Sequence, residues 1–444
     1  MGSAAAAQSS FRLGADLSFL TEVEAQGGVF FEDGQAVEPA ELFRANGVSL
    51  ARLRVWHSPA GGVNGFEETL RSAKRLHAAG FDLLIDFHYS DTWADPGQQA
   101  KPVAWEGLEF ETLRDSVYAY SRQITEALQA QGTPPAIVQL GNEITTGMLW
   151  PEGRVGGTFD TPAQWRNLAG LLDAGAQGVR EAVPNAQLMI HIDRGGDVSG
   201  AQWFFDRLLE EDVDFDLIGL SFYPWWHGRL SDLESTLRIL GERYEKDLLL
   251  AEVAYPWTLA WADNTHNPVG EARHLHPGYD ATPEGQRAFL EDVIALVQAV
   301  PDGRGAGVVY WAPDWITTPG LGSSWENLAL FDFAGEALPA LDAFANASPV
   351  STSSPPAHKG LTFHLAPNPT AGSGRFHIDL DTSGPVRLVI FDALGQPVAT
   401  VLDESHAAGV VVLPFDVSGL PAGVYVARLS TPTGDRTAPF VVAR

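Results

Sequence analysis

Two short apolar runs each finish close to a carboxylate. Residues 137–143 read Ile-Val-Gln-Leu-Gly-Asn-Glu and residues 247–253 read Asp-Leu-Leu-Leu-Ala-Glu-Val, which places Glu143 and Glu252 at the ends of strand-like segments. A pair of carboxyl groups flanking one bond is the equipment of glycoside hydrolysis: one protonates the departing sugar oxygen while the other attacks the anomeric carbon or activates a water. A separation of about 5–5.5 Å would mean covalent attack and retained configuration, and about 6.5–9.5 Å would mean a water between them and inversion. An Asn-Glu dipeptide is common by itself, so the weight rests on the residues around it.

Those residues must be brought together by a fold. Eight apolar, β-branched runs precede residue 320, at 13–19, 50–56, 82–89, 137–143, 187–193, 217–223, 247–253 and 307–313, and most are followed by a segment of helical periodicity. Within 66–79, Leu70, Ala73, Leu76 and His77 share one helix face, and Gly80 follows as a stop. No G-x-G-x-x-G or P-loop glycine pattern follows any run, so the expectation is an α/β (β/α)8 TIM barrel and not an open doubly wound sheet. Residues 1–10 read as a cloning remnant or a disordered terminus, since they lack the basic and apolar regions of a signal peptide. The barrel is expected over 11–345, a Ser/Pro-rich linker over 346–360, and a small all-β sandwich over 361–444, where short alternating runs are separated by Gly, Pro and Asp.

In such a barrel the C-terminal strand ends converge on one mouth. Here every end carries a polar or aromatic residue: Asp16; Arg52 with Trp56; Asp86 with His88; Asn142 with Glu143; His191 with Asp193; Tyr223; Glu252; Trp311. Any one of these suits an ordinary strand terminus, but the full set points to a site. Arg52 is expected to keep one glutamate ionised, as a nearby cation favours the charged form, while the acid needs the raised pKa of a less polar surrounding. Asn142 is expected to donate to the sugar hydroxyl beside the reacting carbon. Many of the 13 tryptophans, including Trp93, fall near the same ends and suit stacking on sugar C–H faces, although barrel loops also use such rings as packing.

Composition bounds the alternatives. The chain has 444 residues, 45% of them hydrophobic, no cysteine and a formal charge of −28. Disulfides and cysteine-based metal or nucleophile sites are therefore unavailable, and nucleic acid or an anionic membrane would be repelled. No run approaches the roughly 20 apolar residues of a membrane span. A monomer is expected. His88, His191 and Asp193 have the chemistry of zinc ligands but lie on different strands without a ligand motif. No G-x-S-x-G elbow supports a serine hydrolase. The run 263–267, with Asp263, His266 and Asn267, concentrates donors that suit calcium, though it lacks the EF-hand pattern and reads equally as an Asx-rich turn. No cofactor is needed for the chemistry.

Across roughly 11–345 the chain resembles glycoside hydrolase family 53, the endo-β-1,4-galactanases of clan A. The resemblance rests on Arg52-Leu53-Arg54-Val55-Trp56, the run from Asp86-Phe87-His88-Tyr89 to Trp93-Ala94-Asp95-Pro96, Gly141-Asn142-Glu143-Ile144, Leu149-Trp150-Pro151, Met189-Ile190-His191-Ile192-Asp193, Ser221-Phe222-Tyr223-Pro224 and Leu321-Gly322-Ser323-Ser324. It implies Glu143 as acid/base and Glu252 as nucleophile, with Arg52, His88 and Asn142 around the cleaved bond. The remaining strand-end residues Asp86, Trp93, His191, Asp193, Tyr223 and Trp311 are then expected to bind substrate. The implied substrate is neutral β-1,4-galactan of pectin side chains, cut internally with retention, and bacterial relatives carry calcium after strand seven. Two stretches depart from the family pattern, Glu252-Val253-Ala254-Tyr255-Pro256 and Tyr310-Trp311-Ala312-Pro313-Asp314-Trp315. They bear on subsites and not on the two carboxylates. A mannanase or cellulase of the same clan, or a silent glycan-binding protein, are the alternatives.

The tail is similar to the type 9 secretion sorting domain, through Ala366-Pro367-Asn368-Pro369-Thr370, Phe391-Asp392-Ala393-Leu394-Gly395 and Leu420-Pro421-Ala422-Gly423-Val424-Tyr425. This resemblance implies the secretion machinery as a partner and export across a bacterial outer membrane, to the medium or the cell surface. A carbohydrate-binding sandwich is the competing expectation, but the tail has no tryptophan for a stacking platform.

Overall fold

The computed structural model describes residues 11–347 and, in the C-terminal region, 362–366, 370, 373–380, 383–392, 396–406, 409–431 and 434–443. The expectations for residues 1–10, for most of the 346–360 linker, and for 367–369 and 393–395 of the tail motifs lie outside the described residues. The chain divides into two compact units, Met1–Pro349 and Val350–Arg444.

In the first unit eight parallel strands close into a barrel: β1 Arg12–Asp16, β2 Leu50–Val55, β3 Asp82–Phe87, β4 Ile137–Leu140, β5 Gln187–Ile192, β6 Leu217–Phe222, β7 Asp247–Val253 and β8 Gly305–Tyr310. Each strand pairs with its chain neighbours, and β1 pairs with β8 to complete the circle. Helices return the chain between strands, among them α1 Pro39–Ala45, α2 Phe66–Ala78, α3 Phe110–Ala130, α4 Pro162–Ala182, α5 Val198–Glu210, α6 Leu230–Tyr244 and α7 Pro283–Gln298. Local chemistry sets several starts. Thr161 and Thr282 cap α4 and α7 by accepting from the backbone N–H of Gln164 and Gly285, with Pro162 and Pro283 at the first helical position, where no N–H is missed. The TIM-barrel expectation is met.

Strand periodicity sorts the barrel interior into layers, because alternate side chains face the same way. Leu50, Leu84, Ile137, Met189, Leu217 and Leu249 form a separate buried apolar cluster. Two residues further along β2, β3, β4 and β5 stand Arg52, Asp86, Gln139 and His191, all buried. An apolar floor thus carries a polar layer directly above it. The expected strand 137–143 stops early, at Leu140, because Gly141 (φ 85°) and Glu143 (φ 47°) turn the backbone into the left-handed region. A register shift between β6 and β7 pairs Leu220 with Leu250 and then Ser221 with Glu252, so Ala251 is the extra residue. Such a bulge re-aims the side chain that follows it.

The second unit holds two antiparallel sheets, Thr362–Ala366, Ser373–Leu380 and Gly409–Asp416 in one, and Pro397–His406, Gly384–Phe391, Gly423–Thr431 and Gly434–Val442 in the other. Phe376 and Ile378 of the first sheet share a buried cluster with Leu388, Ile390, Leu429 and Phe440 of the second, which is a β-sandwich.

Barrel closure depends on one glycine. Gly307 of β8 faces Arg12 of β1, and a Cβ added there would lie 2.1 Å from the Arg12 carbonyl oxygen, with φ at 152°. Gly307→Ala is therefore expected to destabilise the barrel by about 3 kcal/mol, read as a lower urea midpoint. An unchanged midpoint would mean that the seam is slack.

Candidate active site

Arg52 is the centre of the polar layer. Its side chain is 1% exposed, and its Nη1 donates to Asp16 Oδ2 at 2.7 Å. Nη2 meets Asp86 Oδ2 at 2.9 Å, Asn142 Oδ1 at 2.8 Å and Glu252 Oε1 at 3.0 Å, while Nε donates to Gln139 Oε1 at 3.2 Å. Burial alone would lower its pKa, but Asp86, Glu252 and Asp16 together raise it above the usual arginine range, so the cation is permanent.

Glu252 receives a second bond on its other oxygen, from the Tyr223 hydroxyl at 2.9 Å. Burial pushes its pKa up to about 7, against the lowering effects of Arg52 and the Tyr223 bond. Glu143 sits in a left-handed conformation that costs a non-glycine residue on the order of 1 kcal/mol. Its Oε1 accepts from Ser221 Oγ at 2.6 Å. Burial first, then the charge of Glu252, hold its pKa well above the usual carboxyl value, and it lacks an ion pair like that of Glu252. One proton shared by the pair therefore resides on Glu143 and leaves Glu252 as the carboxylate.

Both carboxyl groups open into a cavity of about 550 Å³ whose wall also includes Arg52, His88, Trp93, Asn142, Asp193, Tyr223 and Trp311. Asn142 gives one amide hydrogen to the Ala94 carbonyl at 2.9 Å and leaves the other uncommitted, as a donor to a sugar hydroxyl requires. Asp193 accepts from the Thr145 hydroxyl and lies 3.5 Å from Arg194. Aromatic rings form the rest of the wall. Trp311 meets Trp325 edge-on at 4.5 Å, and Trp315 stacks on Phe19 at 3.8 Å. Trp226 stands at the rim, 59% exposed.

The structure corrects two expectations of direct contact and qualifies a third. Asp86 and His191 are fully buried and absent from the cavity wall: Asp86 accepts from Arg52 and Gln139, and His191 lies within hydrogen-bond distance of Gln139, Asn142 and Ser221. His88 reaches the wall, but both ring nitrogens are engaged. Its Nδ1 accepts from Trp56 Nε1 at 3.2 Å and the Ala94 N–H at 3.1 Å, so the proton is on Nε2, which donates to Asp86 at 3.0 Å. The physical reason is common: each is drawn by its hydrogen bonds into the layer that fixes Arg52.

Gln139, Ser221 and Arg54 are site residues that the strand-end reading left without a role. The signal was present as polar residues two apart in apolar strands, Arg52 with Arg54 and Ser221 with Tyr223. Arg54 is 2% exposed and lies between Phe19 and Trp93, at 4.0 and 4.2 Å from the ring centres.

The run 263–267 stands apart from this cavity. Asp263 accepts from the N–H groups of Thr265 and Ser323 and from the Thr317 hydroxyl, Asn267 is buried against Glu326, and His266 packs on Trp261. Among the described residues no group of three or more His, Cys, Asp or Glu is placed to hold a metal ion, and no helix is long and apolar enough to cross a membrane.

Because Glu143 is held protonated, the native state binds a proton that the unfolded chain releases above its ordinary carboxyl pKa of 4.5. Stability is thus lost as pH rises through that value, and an amide escapes the loss. Glu143→Gln is expected to stabilise the protein at pH 7.5 but not at pH 4.5, by at most about 1.4 kcal/mol per pH unit in between. Equal unfolding free-energy differences at the two pH values would overturn the protonated assignment.

The family model described as Glycosyl hydrolase family 53 matches residues 12–344. An uncharacterized protein of Niallia circulans is 43% identical over 343 residues, covering 76% of this chain and 94% of that protein. An arabinogalactan endo-beta-1,4-galactanase of Thermothelomyces thermophilus is 35% identical over 332 residues, covering 72% and 95%. Among solved structures, the Ignisphaera aggregans GH53 catalytic domain superposes with a TM-score of 0.71 at 37% identity, covering 76% of this chain and 95% of that one.

Proposed function

Since the chain belongs to glycosyl hydrolase family 53, we propose that it is a retaining endo-β-1,4-galactanase acting on galactan and arabinogalactan side chains of pectin. The observation that carries this reading is the unequal treatment of two buried carboxyl groups in one cavity: Glu252 is paired with Arg52 and Tyr223, and Glu143 is paired with a neutral serine. The galactanase relative supports the linkage and sugar, and the aromatic wall suits a polymer of pyranose rings.

In the proposed reaction the Glu252 carboxylate attacks the anomeric carbon as the glycosidic C–O bond breaks, and Glu143 transfers its proton to the leaving oxygen. Glu143, now a carboxylate, takes a proton from water, whose oxygen displaces Glu252 from the anomeric carbon. Two inversions give net retention, and both residues end in their starting states. Arg52 and the Tyr223 hydroxyl hold Glu252 as the charged form and aim it. The free amide hydrogen of Asn142 is the donor for the neighbouring sugar hydroxyl.

The test is product release from linear β-1,4-galactan, with mannan, cellulose and β-1,3-galactan in parallel. Short galacto-oligosaccharides from the first substrate alone are expected, with Glu143→Gln reduced at least ~10³-fold on polymer and far less on an activated aryl galactoside, whose leaving group needs little protonation. Glu252→Ala is expected to be inactive and to be rescued by azide as a glycosyl azide of inverted configuration. Hydrolysis of another polymer would keep the mechanism but transfer the enzyme to another substrate, and silence on all four with intact folding would favour a glycan-binding protein.

For the second unit, the proposal is a type 9 secretion sorting domain that directs export to the medium or cell surface, on the strength of the three ordered tail motifs. In a host with that secretion system, a reporter fused to residues 350–444 is expected outside the outer membrane, and a fusion lacking them inside. Equal export of both would remove the proposal.

A further inference from the structure

A chain of four side chains crosses the polar layer and ends on Glu143. Gln139 Nε2 lies 3.1 Å from His191 Nδ1, His191 Nε2 lies 2.9 Å from Ser221 Oγ, and Ser221 Oγ lies 2.6 Å from Glu143 Oε1. None of Gln139, His191 or Ser221 lines the cavity. Glu143 does line it, and its other oxygen, Oε2, accepts no hydrogen bond from a described residue.

Resting on the proposed acid/base role of Glu143, we propose that Gln139, His191 and Ser221 form a one-way hydrogen-bond chain that reserves Oε2 of Glu143 as the oxygen carrying the catalytic proton. The direction is set at the far end. Gln139 Oε1 accepts from Arg52 Nε at 3.2 Å and its Nε2 donates to Asp86 Oδ1 at 2.6 Å, so the Arg52–Asp86 ion pair fixes which way the amide lies. An amide nitrogen can only donate, so an Nδ1–H would set two N–H groups against each other at 3.1 Å; the proposed direction leaves Nδ1 bare, as acceptor of the hydrogen that Gln139 Nε2 shares with the Gly141 carbonyl and Asn142 Oδ1 at 3.1 Å, and puts the single ring proton on Nε2. Burial, followed by the nearby Arg52 charge, keeps His191 neutral, as a single ring proton requires. His191 Nε2–H then donates to Ser221, and the serine hydrogen has one remaining direction, towards Glu143 Oε1.

The consequence serves both half-reactions. In the first, a proton on Oε1 would be turned to the serine and away from the leaving group, whereas the chain leaves Oε2 as the only oxygen that can hold it. In the second, the same serine hydrogen stabilises the Glu143 carboxylate while Oε2 takes the proton of water. No proton moves along the chain and none has to be returned. The opposite direction is also drawn in the structure, since Asn142 Oδ1 lies 3.1 Å from His191 Nδ1. It would require Nδ1–H, a serine hydrogen given to His191, and the Glu143 proton on Oε1. The two directions therefore differ in one observable, the tautomer of His191. Ser221 and His191 are positioning residues, since neither touches substrate.

Two measurements on the full chain test the proposal. In the first, ¹⁵N shifts of ring-labelled protein, with His191 assigned by its loss in His191→Gln, are expected to show a protonated Nε2 and a bare Nδ1. A protonated Nδ1 overturns the proposal, and this readout needs no turnover, so it stands whatever substrate the enzyme proves to use. In the second, Ser221→Ala removes the donor to the Glu143 carboxylate. Glu252, Asp193, Arg52 and Tyr223 also act on Glu143 and are left in place. The alkaline limb of kcat/KM on β-galactan is expected to move up by about one pH unit with kcat falling roughly tenfold, the size of one hydrogen bond to a charged group. Ser221→Thr, which keeps the hydroxyl, is expected to restore the limb. An unmoved limb in Ser221→Ala, or a threonine variant no better than alanine, reduces Ser221 to packing and overturns the proposal. Absence of hydrolysis by the unaltered chain on every β-glycan would instead remove the acid/base reading on which the second measurement rests.

Discussion

The buried guanidinium of Arg52 is the interaction on which the site depends. A cation with 1% exposure is costly to desolvate, and it is retained because Asp16, Asp86 and Glu252 surround it and Gln139 and Asn142 satisfy its remaining geometry. Five elements are tied through one side chain: β1, β2, β3, β4 with its following turn, and β7. Loss of any partner leaves a charge uncompensated in a dry layer, so the arrangement tolerates little movement. That rigidity is what a reaction with atoms placed to fractions of an ångström requires.

The same layer makes two chemically identical side chains different. Glu252 faces a permanent cation and a phenol, so its charge is supported even though burial opposes it. Glu143 has burial and the Glu252 charge against ionisation, with the Ser221 hydrogen bond and the Arg52 charge in its favour. The strained backbone at Glu143, and the bulge that brings Glu252 opposite Ser221, are local costs borne by a well-packed barrel. Below them the apolar floor of Leu50, Leu84, Ile137, Met189, Leu217 and Leu249 keeps water from the polar groups, which strengthens every charge interaction above it.

Strand-end residues divide into two groups with separate tasks. Trp93, Asn142, Glu143, Asp193, Tyr223, Glu252 and Trp311 line one cavity, whereas Asp86 and His191 lie behind its wall, Asp86 against Arg52 and His191 against Ser221. His88 touches the cavity yet has no nitrogen to offer it. A residue list for a site of this kind therefore mixes contact and support, and only hydrogen-bond accounting separates them. In the loop at 263–267, whose residue types suit calcium, Asp263 accepts from Thr265, Thr317 and Ser323.

The barrel, its strand order and the two glutamates were legible from the sequence, because apolar runs separated by helical periodicity and ending in polar residues admit few other folds. The period-two spacing of Leu50 with Arg52 and Arg54, or Met189 with His191 and Asp193, even encodes the layering of floor, support and wall. What one strand's sequence does not contain is which strand stands opposite. Arg52 meets Asp16, Asp86 and Glu252, at separations of 36, 34 and 200 residues along the chain, only when the barrel closes. The register shift at Leu220 and Ser221 decides that Glu252, and not Ala251, faces the site. Ionisation followed from the same closure, since a carboxyl group's pKa is set by the charges and dielectric around it and not by its own residue type.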